Sequence, residues 1–288
     1  MAEMNTNKGY GTYKPPKENK RHPLTRQDTR KLYQTACDWP AIETELSVRI
    51  LLDYGLRVGE LVHLRASWIN REYKRAADQE LWNINIPKVE HCYGGKGDKG
   101  SHQNKSGANL HITKNECAKC QSRSWNKKVA PTIDGERRPD LGWLSEEQAK
   151  KYGYHPKTER AATRVWQLPN VPETGETAIK TKKFLETQHK NQWPHGPKSV
   201  RNRVNKLVEE ADLKLPDRST EEGVVPHALR HTYGCRLVEM QLGEGAGMKQ
   251  MRHQDANVFE WYADVRDARV VRALDQASSE ADSLLHSE

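Results

Sequence analysis

The 288-residue sequence lacks long apolar runs, an apolar N-terminus and an even set of cysteines, and each absence excludes a class of protein. Mean hydropathy is −0.97, and no stretch approaches the ~18 consecutive apolar residues of a membrane-spanning helix. The segment 1–20 is polar and holds two prolines, so no secretory signal is visible. Five cysteines without such a signal argue against a disulfide framework and favour a reducing compartment, the cytoplasm.

Apolar residues are also scarce, at 35% of the chain against the roughly 45–50% of an ordinary globular protein. What is abundant is positive charge. The formal net charge is +8, and it is uneven along the chain. Segment 1–31 holds eight basic and three acidic residues, segment 88–128 nine and three, and segment 264–288 three and six. This distribution is typical of a protein that contacts a polyanion such as nucleic acid, although solvated arms would carry the same charge.

The sequence predicts one domain with an insertion. Residues 1–24 form a flexible basic arm, 25–275 the domain, and 276–288 a C-terminal tail. Hydrophobic periodicity disappears between about 88 and 154, where a structureless loop of that length would be unusual. We therefore expect that something organises this insertion, or that it is disordered.

The predicted elements make the fold mainly α-helical with a small antiparallel sheet, an α+β class. Thr25 and Asp28 are alternative N-caps of a first helix that runs to about Cys37. Apolar residues at helical spacing predict a second helix, which Gly55 ends in the left-handed conformation. Alternation predicts strands over 81–86 and 163–168. Further helices are predicted over 58–64, 177–190, 198–211, 227–239, 257–262 and 270–277.

Several chemistry-bearing residues recur at fixed spacings. Segment 227–232 reads HALRHT, so His227 and Arg230 lie one helical turn apart. Arg230 precedes His253 by 23 residues, and Tyr262 follows His253 by nine. Upstream, segment 55–61 reads GLRVGEL and places Arg57 at a helix junction. Each feature alone is weak, but the ordered set is specific.

Together with Lys157 in the PKT segment 156–158, this set resembles the tyrosine recombinases of the phage integrase family. The resemblance covers about residues 25–275, apart from the insertion, and implies the catalytic-domain fold of that family. Six residues match its catalytic positions in the same order: Arg57, Lys157, His227, Arg230, His253 and Tyr262. One box departs from the family pattern, because the sequence reads MRH where LGH is usual, with Arg252 in the place of glycine.

The chemistry of phosphodiester cleavage explains these residue types. Two guanidiniums, Arg57 and Arg230, would hold the negative charge of the transition state without a metal. Tyr262 would attack and form a covalent 3′-phosphotyrosine. His227 is the candidate base, and Lys157 the acid that protonates the leaving 5′ oxygen. His253 would hydrogen-bond the phosphate.

The resemblance thus implies a site-specific recombinase that acts on double-stranded DNA, as a homotetramer, in integration, excision or resolution of a mobile element. Two alternatives stay open: a type IB topoisomerase-like relaxing enzyme, and a DNA-binding regulator that has lost catalysis. The family also leads one to expect an N-terminal clamp domain, and Arg57 lies early for one. The helix after Tyr262 would pack on its own domain or dock into a neighbouring subunit. No membrane partner is expected.

No cofactor is expected for catalysis, but the insertion carries a candidate structural zinc site. Cys117 and Cys120 have the CxxC spacing of half a tetrahedral site, against the alternative of an incidental pair. The predicted ligands are Cys92, Cys117, Cys120 and His91, with His102 or His111 as alternatives to His91. Cysteine-bearing insertions before the lysine are similar to those of some archaeal and archaeal-virus integrases, which suggests such a source; for a viral source, the expected compartment is the host cell cytoplasm. Zinc binding would supply the folding energy that this polar segment lacks.

Overall fold

A computed structural model describes most of the region predicted to form the domain. The described residues are 23–75, 77–92, 132–133, 136–137, 153–156, 159–168, 171–213, 226–241 and 243–252. Most of the predicted arm, the helices predicted after residue 252 and the tail lie outside them.

The described residues contain seven α-helices, which we number along the chain. They are α1 (Arg26–Cys37), α2 (Ile42–Asp53), α3 (Val58–Leu61), α4 (Pro172–Glu186), α5 (Pro197–Glu210), α6 (Pro226–Glu239) and α7 (Glu244–Met251). Short 3-10 turns occur at Ala66–Trp68, Glu159–Ala161 and His189–Asn191.

Helix α2 is the centre of the helical part. Its residues from Thr44 to Asp53 are all buried, and it packs against α1, α4, α5 and α6. A helix that is buried all round must have neighbours on every side. The core accordingly lies around α2, and α3 follows directly from its end.

Of the two candidate N-caps of the first helix, Thr25 and Asp28, the structure confirms Thr25. The Thr25 hydroxyl accepts a hydrogen bond from the Asp28 amide at 3.0 Å, the usual way in which threonine caps a helix. The fourth helix differs from its prediction, beginning at Pro172 and ending at Glu186. Proline suits the first turn of a helix because the missing N–H has no intrahelical partner there.

Three antiparallel strands form the principal sheet, in the order β1 (Ile69–Lys74), β2 (Gln79–Asn85) and β7 (Arg164–Trp166). The register pairs Ile69 with Ile84, and Ile84 with Val165 on its other side. All three of these residues are buried, so this row faces the core. The predicted fold class, mainly α-helical with a small antiparallel sheet, is confirmed in the described residues.

Two short antiparallel pairs lie within the predicted insertion. Strand β3 (Glu90–His91) pairs with β6 (Gly153–Tyr154), and β4 (Thr132–Ile133) pairs with β5 (Glu136–Arg137). The β3–β6 pair joins the two ends of the insertion, and it therefore closes the insertion at its base.

Helix α7 is fastened to the sheet by one side chain. The Gln250 amide accepts a hydrogen bond from the Trp166 backbone N–H at 3.0 Å and donates one to the Trp166 carbonyl at 3.1 Å. It therefore pairs with the last residue of β7 much as a neighbouring strand would. This contact fixes the end of α7, where Arg252 follows.

Candidate active site

The turn between α2 and α3 positions Arg57. Gly55 adopts φ +54°, which only glycine adopts at low cost. A Cβ at this position would also overlap with the buried ring of Tyr233. The sequence GLR therefore turns the chain sharply out of α2 and places Arg57 immediately before α3, as the motif predicts.

Arg57 is fixed by Glu60, three residues further on. The Arg57 backbone N–H donates to Glu60 Oε2 at 2.7 Å, and its guanidinium donates to Oε1 at 2.9 Å. The Arg57 side chain is 19% exposed, whereas that of Glu60 is 3% exposed. The Arg57 side chain is therefore held by the protein but keeps part of its surface exposed to solvent.

Arg230 lies on α6 and is buried. Its guanidinium donates to the carbonyl oxygen of Gly55 and to that of Met251. The first carbonyl belongs to the turn that carries Arg57, and the second to the last residue of α7. Arg230 thus joins three elements that are far apart in the sequence.

Arg252, in the place of the family's usual glycine, completes the cluster. It ends α7 in the left-handed conformation, with φ +56° and ψ +42°. Its fully buried guanidinium donates to Glu60 Oε2 at 2.7 Å and to the Gly55 carbonyl at 3.0 Å. Its own carbonyl accepts a hydrogen bond from Arg57 at 3.3 Å. The backbone therefore keeps the turn that glycine favours, while the side chain forms an ion pair that glycine could not.

Glu60 lies three positions after the residue that precedes α3, where the capping pattern places an acidic residue, so its pairing with Arg57 could be predicted from the sequence. The partner of Arg252 was not predicted. The sequence does carry one indication for Arg252, since a cation stands where the family's LGH motif has glycine. An unexpected charge at such a position suggests a buried partner of opposite sign.

The electrostatics of this cluster, which we call the arginine cluster (Arg57, Glu60, Arg230 and Arg252), favour binding of an anion. Burial alone would raise the pKa of Glu60, but Arg252, Arg57, Arg230 and the Arg57 amide lower it to about 2. Glu60 is therefore ionised at neutral pH. Because three guanidiniums face one carboxylate, the cluster keeps a formal excess of two positive charges, which suits a phosphate.

The other predicted catalytic residues are described only in part. His227 lies exposed in the first turn of α6, and its ring centroid is 4.5 Å from that of His231. Lys157, His253 and Tyr262 lie outside the described residues, so their placement stays a prediction. The structure therefore brings Arg57 and Arg230 together, with His227 one turn from Arg230 on the same helix.

The predicted zinc ligands are also described in part. Cys92 is buried and His91 is exposed, while Cys117 and Cys120, like the alternatives His102 and His111, lie outside the described residues. Among the described residues, no group of three or more His, Cys, Asp and Glu side chains could hold a metal ion.

No family model matches the chain, and no curated protein matches it. Solved structures do. The chain is similar to XerA recombinase, with 12% identity, a TM-score of 0.47, and coverage of 91% of this chain and 66% of that one. It is similar to XerH site-specific recombinase bound to a palindromic difH substrate, with 12% identity, a TM-score of 0.48, and coverage of 88% and 52%.

A third similar structure is a lambda integrase (75–356) dimer bound to a COC′ core site, with 17% identity, a TM-score of 0.42, and coverage of 88% of this chain and 63% of that one. The chain thus spans about half to two thirds of the length of these structures. All three are recombinases or integrases, the class of protein that the motifs of this sequence resemble.

No helix in the described part of the chain is long and apolar enough to cross a membrane.

Proposed function

We propose that this chain is a tyrosine recombinase, which cleaves and rejoins duplex DNA at a specific site through a 3′-phosphotyrosyl intermediate. The observation that carries the proposal is the convergence of Arg57 and Arg230. Arg57 lies immediately before α3 and Arg230 lies on α6, and hydrogen bonds through Gly55 and the end of α7 connect them. The motif spacing predicts this convergence, and a chance match of motifs would not require it.

The arginine cluster can hold a phosphodiester in place. Guanidiniums stay charged at all relevant pH values and can bind two phosphate oxygens in a bidentate arrangement. The partly exposed Arg57 is suited to contact a non-bridging oxygen. Arg230, whose guanidinium is held by two carbonyls, supplies a fixed positive charge behind it. Such preorganised charge stabilises the pentacoordinate transition state without a metal.

The remaining roles follow the sequence prediction. The Tyr262 oxygen forms a bond to phosphorus, and the bond from phosphorus to the 5′ oxygen breaks. His227 accepts the phenol proton, and Lys157 protonates the departing 5′ oxygen. His253 donates a hydrogen bond to the phosphate. Rejoining is the same sequence in reverse, with a 5′ hydroxyl as the attacking group.

The setting that we propose is integration, excision or resolution of a mobile element in the cytoplasm, by a homotetramer on double-stranded DNA. The basic segments 1–31 and 88–128 support DNA as the partner, because phosphate contacts need clustered positive charge.

The test is capture of protein-linked DNA. The full chain is incubated with a fragment library of its own replicon, the reaction is quenched with SDS, and the linked ends are sequenced. We expect linkage at a discrete site that Tyr262→Phe and Arg57→Ala abolish. Tyr73→Phe is the matched control, because Tyr73 is an exposed tyrosine on β1, and it should keep full linkage.

Other outcomes would overturn the proposal. Linkage scattered over many sites, together with relaxation of supercoiled plasmid, would indicate a relaxing enzyme of the topoisomerase IB type. Salt-sensitive DNA binding without any linkage, unchanged in Tyr262→Phe, would indicate a regulator.

A further inference from the structure

A buried histidine faces a buried cysteine at the base of the insertion. His63 is 2% exposed and Cys92 is 9% exposed. The His63 Nε2 atom lies 3.2 Å from Cys92 Sγ. His63 follows α3 by two residues, and Cys92 follows β3 directly, so the pair joins the helix of the arginine cluster to the first strand of the insertion.

The tautomer of His63 follows from its other nitrogen. Nδ1 lies 2.6 Å from the Gly59 carbonyl oxygen, and a carbonyl can only accept a hydrogen bond. Nδ1 therefore carries the proton in the neutral ring, and Nε2 directs its lone pair toward the sulfur. A histidine that donates one ring N–H to a backbone carbonyl is the usual arrangement of a metal ligand, because that hydrogen bond fixes the ring and raises its basicity.

The separation of the two atoms suits a shared tetrahedral metal ion. Zinc–sulfur bonds of about 2.3 Å and zinc–nitrogen bonds of about 2.0–2.1 Å, at a tetrahedral angle, put the two ligand atoms about 3.6 Å apart. The observed 3.2 Å is within about half an ångström of that value. A thiolate with an imidazole is also the ligand chemistry that zinc prefers.

The surroundings favour a structural ion over a reactive thiol. The Tyr154 ring stacks on His63, with centroids 4.4 Å apart and planes 24° apart. The Trp68 ring also packs against the Tyr154 ring, with centroids 5.6 Å apart and planes tilted by 33°. Tyr154 belongs to β6, the strand that closes the insertion. Aromatic rings therefore cover the imidazole and limit the access of water.

From these observations we infer that His63 and Cys92 are ligands of a structural zinc ion, which ties the base of the insertion to the turn after α3. Binding of Zn²⁺ replaces the thiol proton of Cys92, which is released to solvent. The inference assigns His63, and not the neighbouring His91, as the histidine ligand. It does not depend on the proposed strand cleavage, because it concerns metal content alone.

The first test measures zinc in the full chain, purified without chelators from zinc-supplemented medium. Elemental analysis should find one zinc per chain in the wild type. His63→Gln and Cys92→Ser should each lose most of it. His91→Ala is the matched control, since His91 lies next to Cys92 but is exposed, and it should keep one zinc. A zinc-free wild type, or zinc lost in His91→Ala and kept in His63→Gln, overturns the inference.

A second test uses the wild-type chain, so that it does not depend on variants that fail to fold. Alkylation by iodoacetamide is followed at each cysteine by mass spectrometry, before and after removal of metal with a chelator. Chelation should speed alkylation of Cys92 at least tenfold and leave that of Cys37 unchanged. Equal rates at Cys92 with and without chelator overturn the inference.

A cobalt-substituted chain gives a third readout. Co²⁺ bound to thiolate has charge-transfer absorption in the near ultraviolet, and each thiolate contributes to it. The Cys92→Ser chain should show weaker absorption than the wild type at the same cobalt content. Identical spectra would mean that Cys92 is not a ligand.

Discussion

The two ends of helix α3 are held by opposite kinds of chemistry. Before and within the helix, Arg57 and Glu60 belong to a cluster of charges that pair with one another and with Arg252. After the helix, His63 faces Cys92, and the atoms that meet are a ring nitrogen and a sulfur, 3.2 Å apart. Only about six residues separate Arg57 from His63, yet the partners of one end come from α6 and α7, and the partner of the other from the insertion.

The comparison shows that the two ends of α3 differ in what stabilises them. The carboxylate of the arginine cluster has its partners within the described residues, and its pKa of about 2 shows that attraction outweighs burial. The His63–Cys92 pair would provide two of the four ligands of the tetrahedral zinc site that we infer. The first end should therefore depend on charges within the protein, and the second on a metal ion.

The largest effect is expected from Glu60→Gln, which removes the carboxylate charge from the arginine cluster. It leaves the fully buried Arg252 without its counter-charge, and such a loss usually costs about 3–5 kcal/mol. Urea unfolding of the variant would measure this loss. Glu80→Gln is the control, because the Glu80–Arg71 ion pair is about half-exposed and contributes ~0–1 kcal/mol. Equal losses in the two variants would contradict the buried-charge argument.

The ionised Glu60 carboxylate should also make the free energy of unfolding of the wild type fall at acid pH. Burial opposes the ionisation of Glu60, yet the arginines lower its pKa from 4.5 to about 2. Its contribution is therefore present above about pH 4.5 and is lost as the pH falls toward 2. A shift of this size corresponds to about 3 kcal/mol. Urea unfolding at pH values from 6 to 2 should show a smaller decline in Glu60→Gln, and parallel curves would refute the assignment.

The helices around the core could be predicted from the sequence, because each has a local signal. Thr25 caps α1, and Gly55 adopts the positive φ that ends the second predicted helix. Strand β1 was missed, since its sequence INREYK is mostly polar and its pairing with β2 compensates for that. Helix α7 was missed as well, because its glycines are poor helix formers and the contact of Gln250 with β7 holds it in place.

The candidate site was predictable only where residue type and spacing carry the chemistry. Motif spacing singled out Arg57 and Arg230, which the structure brings together. It could not reveal that Arg252 pairs with Glu60, 192 residues away, or that His63 faces Cys92. Such pairings depend on how elements pack, which no local periodicity encodes.

A third prediction separates the backbone of Arg252 from its charge. Arg252→Gly removes an ion pair but relieves a left-handed residue, whereas Arg252→Ala removes the ion pair and keeps the strain. Because Glu60 retains Arg57, we expect Arg252→Gly to lose about 1–2 kcal/mol. Arg252→Ala should lose about 1 kcal/mol more. Thermal unfolding of the two variants measures the difference, and equal stabilities would mean that the turn carries no strain.

The smallest effect tests whether the two ends of α3 are separable. Gln250→Leu removes both hydrogen bonds that hold α7 against Trp166, at a cost of about 1–2 kcal/mol since the contact is part-buried. Gln188→Leu is the control, because the Gln188 side chain donates locally, to the Phe184 carbonyl and the Thr187 hydroxyl. Because α7 packs against α6 and β7 and leads into Arg252, whereas His63 faces Cys92 of the insertion, Gln250→Leu should weaken the DNA linkage reaction and leave one zinc per chain. Loss of zinc in this variant would show that zinc binding at His63 and Cys92 depends on the arginine cluster, so that the two ends of α3 are not separable.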